Sequence, residues 1–345
     1  MSFLMNAAER GYIPDPLIRV GIRKLIKQRQ DEIYENFSFH RDGILGELNS
    51  SVIAQDTDKA NEQHYELPAG FFELVLGKNL KYSSSLFERG VKTLDEAEEA
   101  MLELYCKRAQ LEDGMDILEL GCGWGSLTLY LAKKYPNSKV TAISNSSSQR
   151  EFIESKAKSR GLSNLKILTQ DMNTFSIDKQ FDRIVSIEMF EHMRNYNVLF
   201  EKVASWLKDD GKVFIHIFCH KSASYFFETE GDDNWMGKYF FTGGVMPSFD
   251  LFERVQDSLS LEEKWKVNGK HYQETSEAWF KNMDKHEKAL MNVLADTYGA
   301  EDAKLWFERW KIFFASCAEL FGHNNGDEWF VGHFLFNKKL VRASE

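Results

Sequence analysis

Leu118-Glu119-Leu120-Gly121-Cys122-Gly123-Trp124-Gly125 is the stretch on which the reading of this chain turns. The apolar run 116–120 has the length and composition of a buried strand that ends beside an acid. Glycines then let the backbone turn tightly and approach a ligand without Cβ clashes, and 126–134 reads as a helix. Working outward, short apolar runs at 140–143, 165–169, 183–187 and 213–218 alternate with amphipathic stretches at 148–159 and 198–208, and Gly161 closes the first of these as a C-cap. Strands alternating with helices predict parallel βαβ units with helices on both faces, an α/β fold. Past His220 the rhythm breaks. Segment 222–244 is acidic and aromatic and is expected to cover the active edge of the sheet. Residues 264–267 alternate like a strand before a turn expected at Asn268-Gly269. Two helices are expected at 275–295 and 301–320, and a last strand at 329–336.

A nucleotide-like ligand can lie across the glycine loop at the carboxyl ends of the strands. The nicotinamide dinucleotide fingerprint would put glycine at position 126, where this chain has Ser126, and its ribose acid is missing, because the second strand ends in Ser144-Asn145. The G-x-G-x-G form behind Glu119 points instead to S-adenosylmethionine, held at Glu119, Gly121, Gly123 and Gly125. Asn145 and Gln149 follow the second strand, where neutral side chains can bond ribose hydroxyls. Asp171 follows the third, where a carboxylate can accept from the adenine amino group while Met172 flanks the ring. A glycine turn without a ligand, and Asp171 as a solvated helix cap, are the plainer alternatives.

After the fourth strand comes Glu188-Met189-Phe190-Glu191-His192. On a helical turn, Glu188, Glu191 and His192 fall at i, i+3 and i+4 and share one face. An alkylamine is mostly protonated at neutral pH, so methyl transfer to it needs carboxylates to attract the ammonium and a Glu or His to accept its proton. The competing reading is a helix N-terminus with favourable acids and an incidental histidine.

Composition narrows the partners. The 345 residues carry 43 Lys and Arg against 53 Asp and Glu, a net charge of −10, which argues against a protein that grips phosphate backbones. Cys106, Cys122, Cys219 and Cys317 are scattered, without a Cys-x-x-Cys pair, so neither a disulfide framework nor a zinc site is expected. No metal is expected. Met1 to Asn6 lacks the features of a signal peptide and no run is long enough to span a bilayer, so the expected location is cytoplasmic. Aromatic residues make up 14%, with seven between Tyr225 and Phe241; they read as bulky core or as a pocket for something flat, greasy or cationic. Arg19, Arg23, Lys24, Lys27 and Arg29 make 19–29 a basic amphipathic helix, which either packs on the main domain or touches a membrane surface.

The chain resembles the cyclopropane-fatty-acid synthase superfamily of S-adenosylmethionine-dependent enzymes, and within it the plant coclaurine N-methyltransferase-like group. The matching blocks are Lys81-Tyr82-Ser83, the glycine loop through Ser126, Ser144-Asn145 with Gln149, and Glu188 through Met193. They continue with His220-Lys221, Phe241 through Pro247-Ser248, Asn268 through Tyr272, Phe321-Gly322 through Gly326, and Glu328-Trp329. The resemblance implies a class I, Rossmann-like seven-stranded sheet with its final strand antiparallel. It implies a helical N-terminal cover region at 1–80, a methyltransferase domain at 81–345, and a helical and aromatic cover inserted at about 220–260. It also implies that Tyr82 and Ser83 help hold the cofactor, that Glu188, Glu191 and His192 face the substrate, and that aromatic residues near Phe241 and Trp329, with Tyr272 and Cys317, border the acceptor.

The expected function is methyl transfer to a small cyclic or aromatic amine. Its rival is cyclopropanation of unsaturated acyl chains, in which the family uses a bicarbonate ion as base. Carried onto this chain, the bicarbonate cage would involve Ser84, Glu191, His216, Tyr272 and the backbone around Phe218; the lipid enzymes usually have cysteine where Ser84 stands. Cys317 matches a cysteine they carry, and can equally be a small buried hydrophobe. The expected partner is a small-molecule amine, with no nucleic acid, membrane contact only under the lipid reading, and a homodimer left open. A non-catalytic, cofactor-binding regulator is the third reading.

Overall fold

The computed structural model describes residues 3–50, 52–54, 67–231 and 234–339; of the reading of 1–80 as helical, positions 1, 2, 51 and 55–66 lie outside these. Helices α1 (Phe3–Glu9), α2 (Asp15–Glu35), α3 (Ile44–Ser50), α4 (Ala69–Val75) and α5 (Leu94–Arg108) precede the sheet. Thr93 starts α5 with a reciprocal capping box to Glu96, the sequence signature of a firm helix start. Next come β1 (Asp116–Leu120), α6 (Ser126–Lys134), β2 (Lys139–Ser144), α7 (Ser147–Ser159), β3 (Leu165–Thr169), β4 (Phe181–Ile187), α8 (Tyr196–Ser205) and β5 (Leu207–His220).

Beyond β5 lie the short strands β6 (Tyr225–Phe226) and β7 (Val245–Met246), which flank α9 (Trp235–Tyr239). The chain ends in β8 (Leu259–Val267), α10 (Gly269–Lys285), α11 (Glu287–Tyr298), α12 (Ala303–Gly322) and β9 (Trp329–Lys338). The main sheet has seven strands in the order β3-β2-β1-β4-β5-β9-β8. Strands β1 to β5 pair in parallel, and β9 runs antiparallel to both β5 and β8. Strand order reverses at β1, so a crevice opens above the carboxyl ends of β1 and β4, the place where such sheets bind ligands. The inner strands are continuous apolar runs because both faces are covered. Met101, Tyr105, Trp124 and Phe214 pack on one side, and Phe181, Tyr196, Phe200 and Phe336 on the other.

Three expectations are corrected. Asn268-Gly269 is no hairpin turn: Asn268 caps α10, its side chain accepting from Lys270 N–H at 2.9 Å. Glycine is needed at 269 because a Cβ there would stand 2.2 Å from the Trp329 carbonyl oxygen and 2.3 Å from that of Phe321. The helix expected over 275–295 breaks at His286, whose Nδ1 lies 2.7 Å from the Leu74 carbonyl oxygen. The cover at 220–260 is less helical than expected. Among its described residues, only the five of α9 and a 3-10 turn at Leu251–Glu253 are helical.

The basic helix packs inward. Within α2, Ile22, Ile26 and Ile33 are buried. Arg19 makes a bidentate pair with Glu277 at 2.6 and 2.9 Å and also reaches Glu319, which Arg23 shares.

Candidate active site

The carboxyl ends of β1, β2 and β4 open onto a cavity of about 1170 Å³, its mouth included. The glycine loop forms one wall. Gly121 and Gly125 have φ of 77° and 82°, and a Cβ at either would collide with Met189 or Ile153, at 2.7 and 2.6 Å. Gly123, at φ 50°, would meet nothing within 4 Å, so space remains above the loop for a ligand. Glu119 is buried, and its Oε2 accepts from the Thr128 hydroxyl; burial raises its pKa to about 8.

Tyr82, Ser83, Asn145, Gln149, Asp171 and Met172 line the same cavity with Glu119, Gly121 and Gly123, while Gly125 sits just behind as the left-handed N-cap of α6. Gln149 accepts from Ser144 Oγ at 2.7 Å through Oε1. Its Nε2 and the Oγ of Ser126, also in the lining, are buried without hydrogen-bond partners among the described residues. Buried donors left over inside a cavity call for a ligand with acceptor oxygens. A ribose and a methionyl carboxylate supply them, so the residues present fit S-adenosylmethionine.

At the other end of the cavity stands Glu188, and its environment departs from the expected helical face. Residue 188 has φ 47° and lies outside the 3-10 turn Phe190–His192. A left-handed non-glycine residue costs energy and needs surrounding contacts to hold it. Here Glu188 Oε1 accepts from Ser84 N–H at 3.2 Å and pairs with His216 Nε2 at 2.9 Å, and Oε2 accepts from the Tyr272 hydroxyl at 2.7 Å. Burial pushes its pKa up to about 7, while Lys81 and the Tyr272 and Ser84 hydrogen bonds hold it down. His192 also lines the cavity, its ring parallel to Phe241 at 5.8 Å. Burial lowers its pKa to about 4 despite Glu188, so it is neutral at pH 7.

Glu191 does not join them at the cavity wall. It is buried, its Oε2 has no hydrogen-bond partner among the described residues, and burial together with the Glu188 charge pushes its pKa well up. Glu188 stands outside the 3-10 turn that holds Glu191, so the two acids do not share the single helical face expected from their spacing, though Glu191 still feels the Glu188 charge. Phe241, Tyr272 and Trp329 are also absent from this lining, though Phe241 stacks on His192 and Tyr272 donates to Glu188. Trp329 is fully buried in β9 and donates to the Tyr225 hydroxyl at 3.0 Å. Cys317 is likewise buried outside the lining, though near enough to Glu188 for that charge to help raise its pKa.

Other groups were not singled out from sequence. Lys81 is buried, donates to Ser83 Oγ at 2.6 Å and the Ser84 carbonyl at 2.5 Å, and burial lowers its pKa to about 7. Glu98 accepts from the backbone N–H of Gly77 and Asn79 at 2.9 and 2.8 Å and so fixes the loop that delivers Lys81 to Ser84. Lys81 stands in the Lys81-Tyr82-Ser83 block, where no role was read for it, and Glu98 stands in no recognised motif because it acts on a loop about 20 residues before it. Among the described residues no group of three His, Cys, Asp or Glu is placed to hold a metal, and no helix is long and apolar enough to cross a membrane.

The sequence model of the family described as "Mycolic acid cyclopropane synthetase" matches residues 54–330. (S)-coclaurine N-methyltransferase of Thalictrum flavum subsp. glaucum is 39% identical over 97% of this chain and 95% of its own. Cyclopropane-fatty-acyl-phospholipid synthase of Escherichia coli is 30% identical over 71% of this chain and 65% of its own. The crystal structure of coclaurine N-methyltransferase bound to N-methylheliamine and SAH superposes with a TM-score of 0.93 at 38% identity, covering 97% of this chain and 99% of that one.

Proposed function

The chain belongs to the mycolic acid cyclopropane synthetase family, and on that premise we propose that it methylates the nitrogen of a small cyclic amine of the benzylisoquinoline kind. It is an S-adenosylmethionine-dependent methyltransferase with a class I fold. When bound, the cofactor supplies a methyl group on a positively charged sulfur. The chain's own task is to bring an amine beside it with its lone pair free.

Glu188 carries this reading. Its carboxylate sits in the cavity wall, held by Ser84, His216 and Tyr272, and its pKa of about 7 suits a base at neutral pH. The ionised carboxylate attracts the ammonium and takes its proton at Oε2, which has a single hydrogen-bond partner among the described residues. The freed lone pair then forms the N–C bond as the S–C bond breaks. Neutral His192, braced on Phe241, and the half-buried Tyr82 border the acceptor and keep water away.

The same observation weighs against cyclopropanation. Three members of the expected bicarbonate cage, Ser84, His216 and Tyr272, all hydrogen-bond Glu188. The chain's own carboxylate therefore fills the position that a bicarbonate ion would need. The packing of α2 also ties up Arg19 and Arg23 in internal ion pairs, which weakens the case for a lipid surface.

The test incubates purified protein and methyl-labelled S-adenosylmethionine with tetrahydroisoquinoline and, separately, with vesicles of unsaturated phospholipid. Label is expected in N-methyl tetrahydroisoquinoline and absent from lipid. Acyl chains that gain a methylene while the amine stays unlabelled would overturn the reading.

A further inference from the structure

Behind Glu188 a line of hydrogen-bonding side chains runs away from the cavity to the far end of α5. His216 Nε2 faces Glu188 Oε1 at 2.9 Å; His216 Nδ1 faces His333 Nε2 at 2.8 Å; His333 Nδ1 faces Arg108 Nη1 at 2.7 Å. His216 and His333 are register partners on β5 and β9 and are both fully buried. The Tyr105 hydroxyl lies 2.9 Å from His216 Nδ1. Arg108 lies over the Trp265 ring at 4.9 Å, outside the cavity lining.

A guanidinium has donors and no acceptor. Arg108 therefore fixes the direction of the whole line. His333 Nδ1 must accept, which leaves the His333 proton on Nε2. That proton points at His216 Nδ1, which must then accept as well. The His216 proton is left on Nε2, facing the carboxylate. Both imidazoles are neutral, since burial and the nearby cations Lys81 and Arg108 push their pKa values well down, so neither carries a second proton that would blur the direction.

We propose that Arg108 is a positioning residue for the methyl transfer: through the tautomers of His333 and His216 it keeps an N–H donor on Glu188 and so keeps that carboxylate ionised and oriented. Without Arg108, His333 is free to carry its proton on Nδ1. His216 can then donate to His333, turning its own lone pair on Nε2 toward Glu188. A lone pair facing a carboxylate favours the protonated acid, and the base is lost. Lys81, His192, Glu191, Tyr272, Tyr105 and Cys317 also face Glu188 or this line, and Glu88 and Glu263 face Arg108; all stay unchanged in the experiment. The idea rests on the proposed role of Glu188 in amine methylation, and its test has one arm that needs no turnover.

That arm is nitrogen-resolved NMR of the intact chain with 15N-labelled histidine. The Nε2–H tautomer is expected for both His216 and His333, and an Nδ1–H proton on either overturns the proposal whatever the enzyme methylates. The second arm compares Arg108→Met with Arg108→Lys, which keeps a donor. Arg108→Met is expected to lower kcat roughly tenfold at pH 7, with KM for both substrates within about twofold and activity recovering as pH rises. Arg108→Lys should restore most of the loss. A kcat loss equal at every pH, or a lysine variant as impaired as the methionine one, would mean that Arg108 merely packs on Trp265.

Discussion

At the cofactor end of the cavity, β1, the glycine loop and α6 follow one another within a single strand-loop-helix unit. At the acceptor end, Glu188 meets Ser84, His216 and Tyr272 from 104, 28 and 84 residues away. The first is mostly backbone geometry: left-handed glycines and a wall of main chain, with Glu119 and Asp171 as its carboxylates. The second is a buried polar network in which each side chain satisfies another and every pKa is displaced. The difference separates binding from chemistry. A change at the cofactor end should act on affinity, whereas one at the acceptor end should act on turnover and its pH dependence.

The hardest blow to that division would come from Glu188→Gln. The amide keeps the shape and can still accept from Tyr272, but it cannot take a proton. Turnover of the amine is expected to fall by about 10²–10⁴-fold, the usual worth of a positioned base. Affinity for S-adenosylhomocysteine, measured by calorimetry, should stay within about twofold. A comparable loss of cofactor affinity would show that the two ends are one site energetically.

The same division explains what could be read from the sequence. The sheet, the glycine loop and the places of Gln149 and Asp171 in the cavity lining were legible because strand periodicity, glycine spacing and position after a strand are local signals. Glu188 draws notice by its chemistry, but no pattern announces that a glutamate will adopt φ 47° and stand outside the turn that holds Glu191. Trp329 lies in the core outside the lining of this cavity, and an indole that walls a pocket and one that fills a core look alike in sequence. His333 and Arg108 carried no signal at all. A histidine inside an apolar strand reads as core, and only the pairing of β5 with β9 sets it against His216.

Tyr272→Phe sharpens the comparison at intermediate size. The phenol hydrogen bond stabilises the ionised carboxylate, so its removal raises the Glu188 pKa above its present value of about 7. Activity needs the ionised form and is gained as pH rises through that pKa. The acid limb should therefore move to higher pH, by up to about one unit, with activity lost near pH 6–7 and regained in more alkaline buffer. Dividing the variant's pH–rate profile by that of the unaltered enzyme cancels the amine's own ionisation. A profile lowered uniformly, with its limb in place, would mean that Tyr272 acts by packing on Phe321, whose ring stacks on it at 4.2 Å.

The smallest expected effect on turnover belongs to Trp329→Phe, and it tests the boundary of the acceptor end. The indole is fully buried and donates to Tyr225. Phenylalanine loses that hydrogen bond and leaves a small void, which together should cost about 1–3 kcal/mol of stability, read as a lowered urea midpoint with an unchanged slope. Because Trp329 is not in the lining of the cavity that Glu188 and His192 border, kcat and KM for the amine should stay within about twofold at a temperature where the variant is folded. An amine KM raised severalfold without a matching fall in stability would put the indole back against the substrate. The acceptor pocket would then reach to the start of β9, beyond the cavity that Glu188 and His192 border.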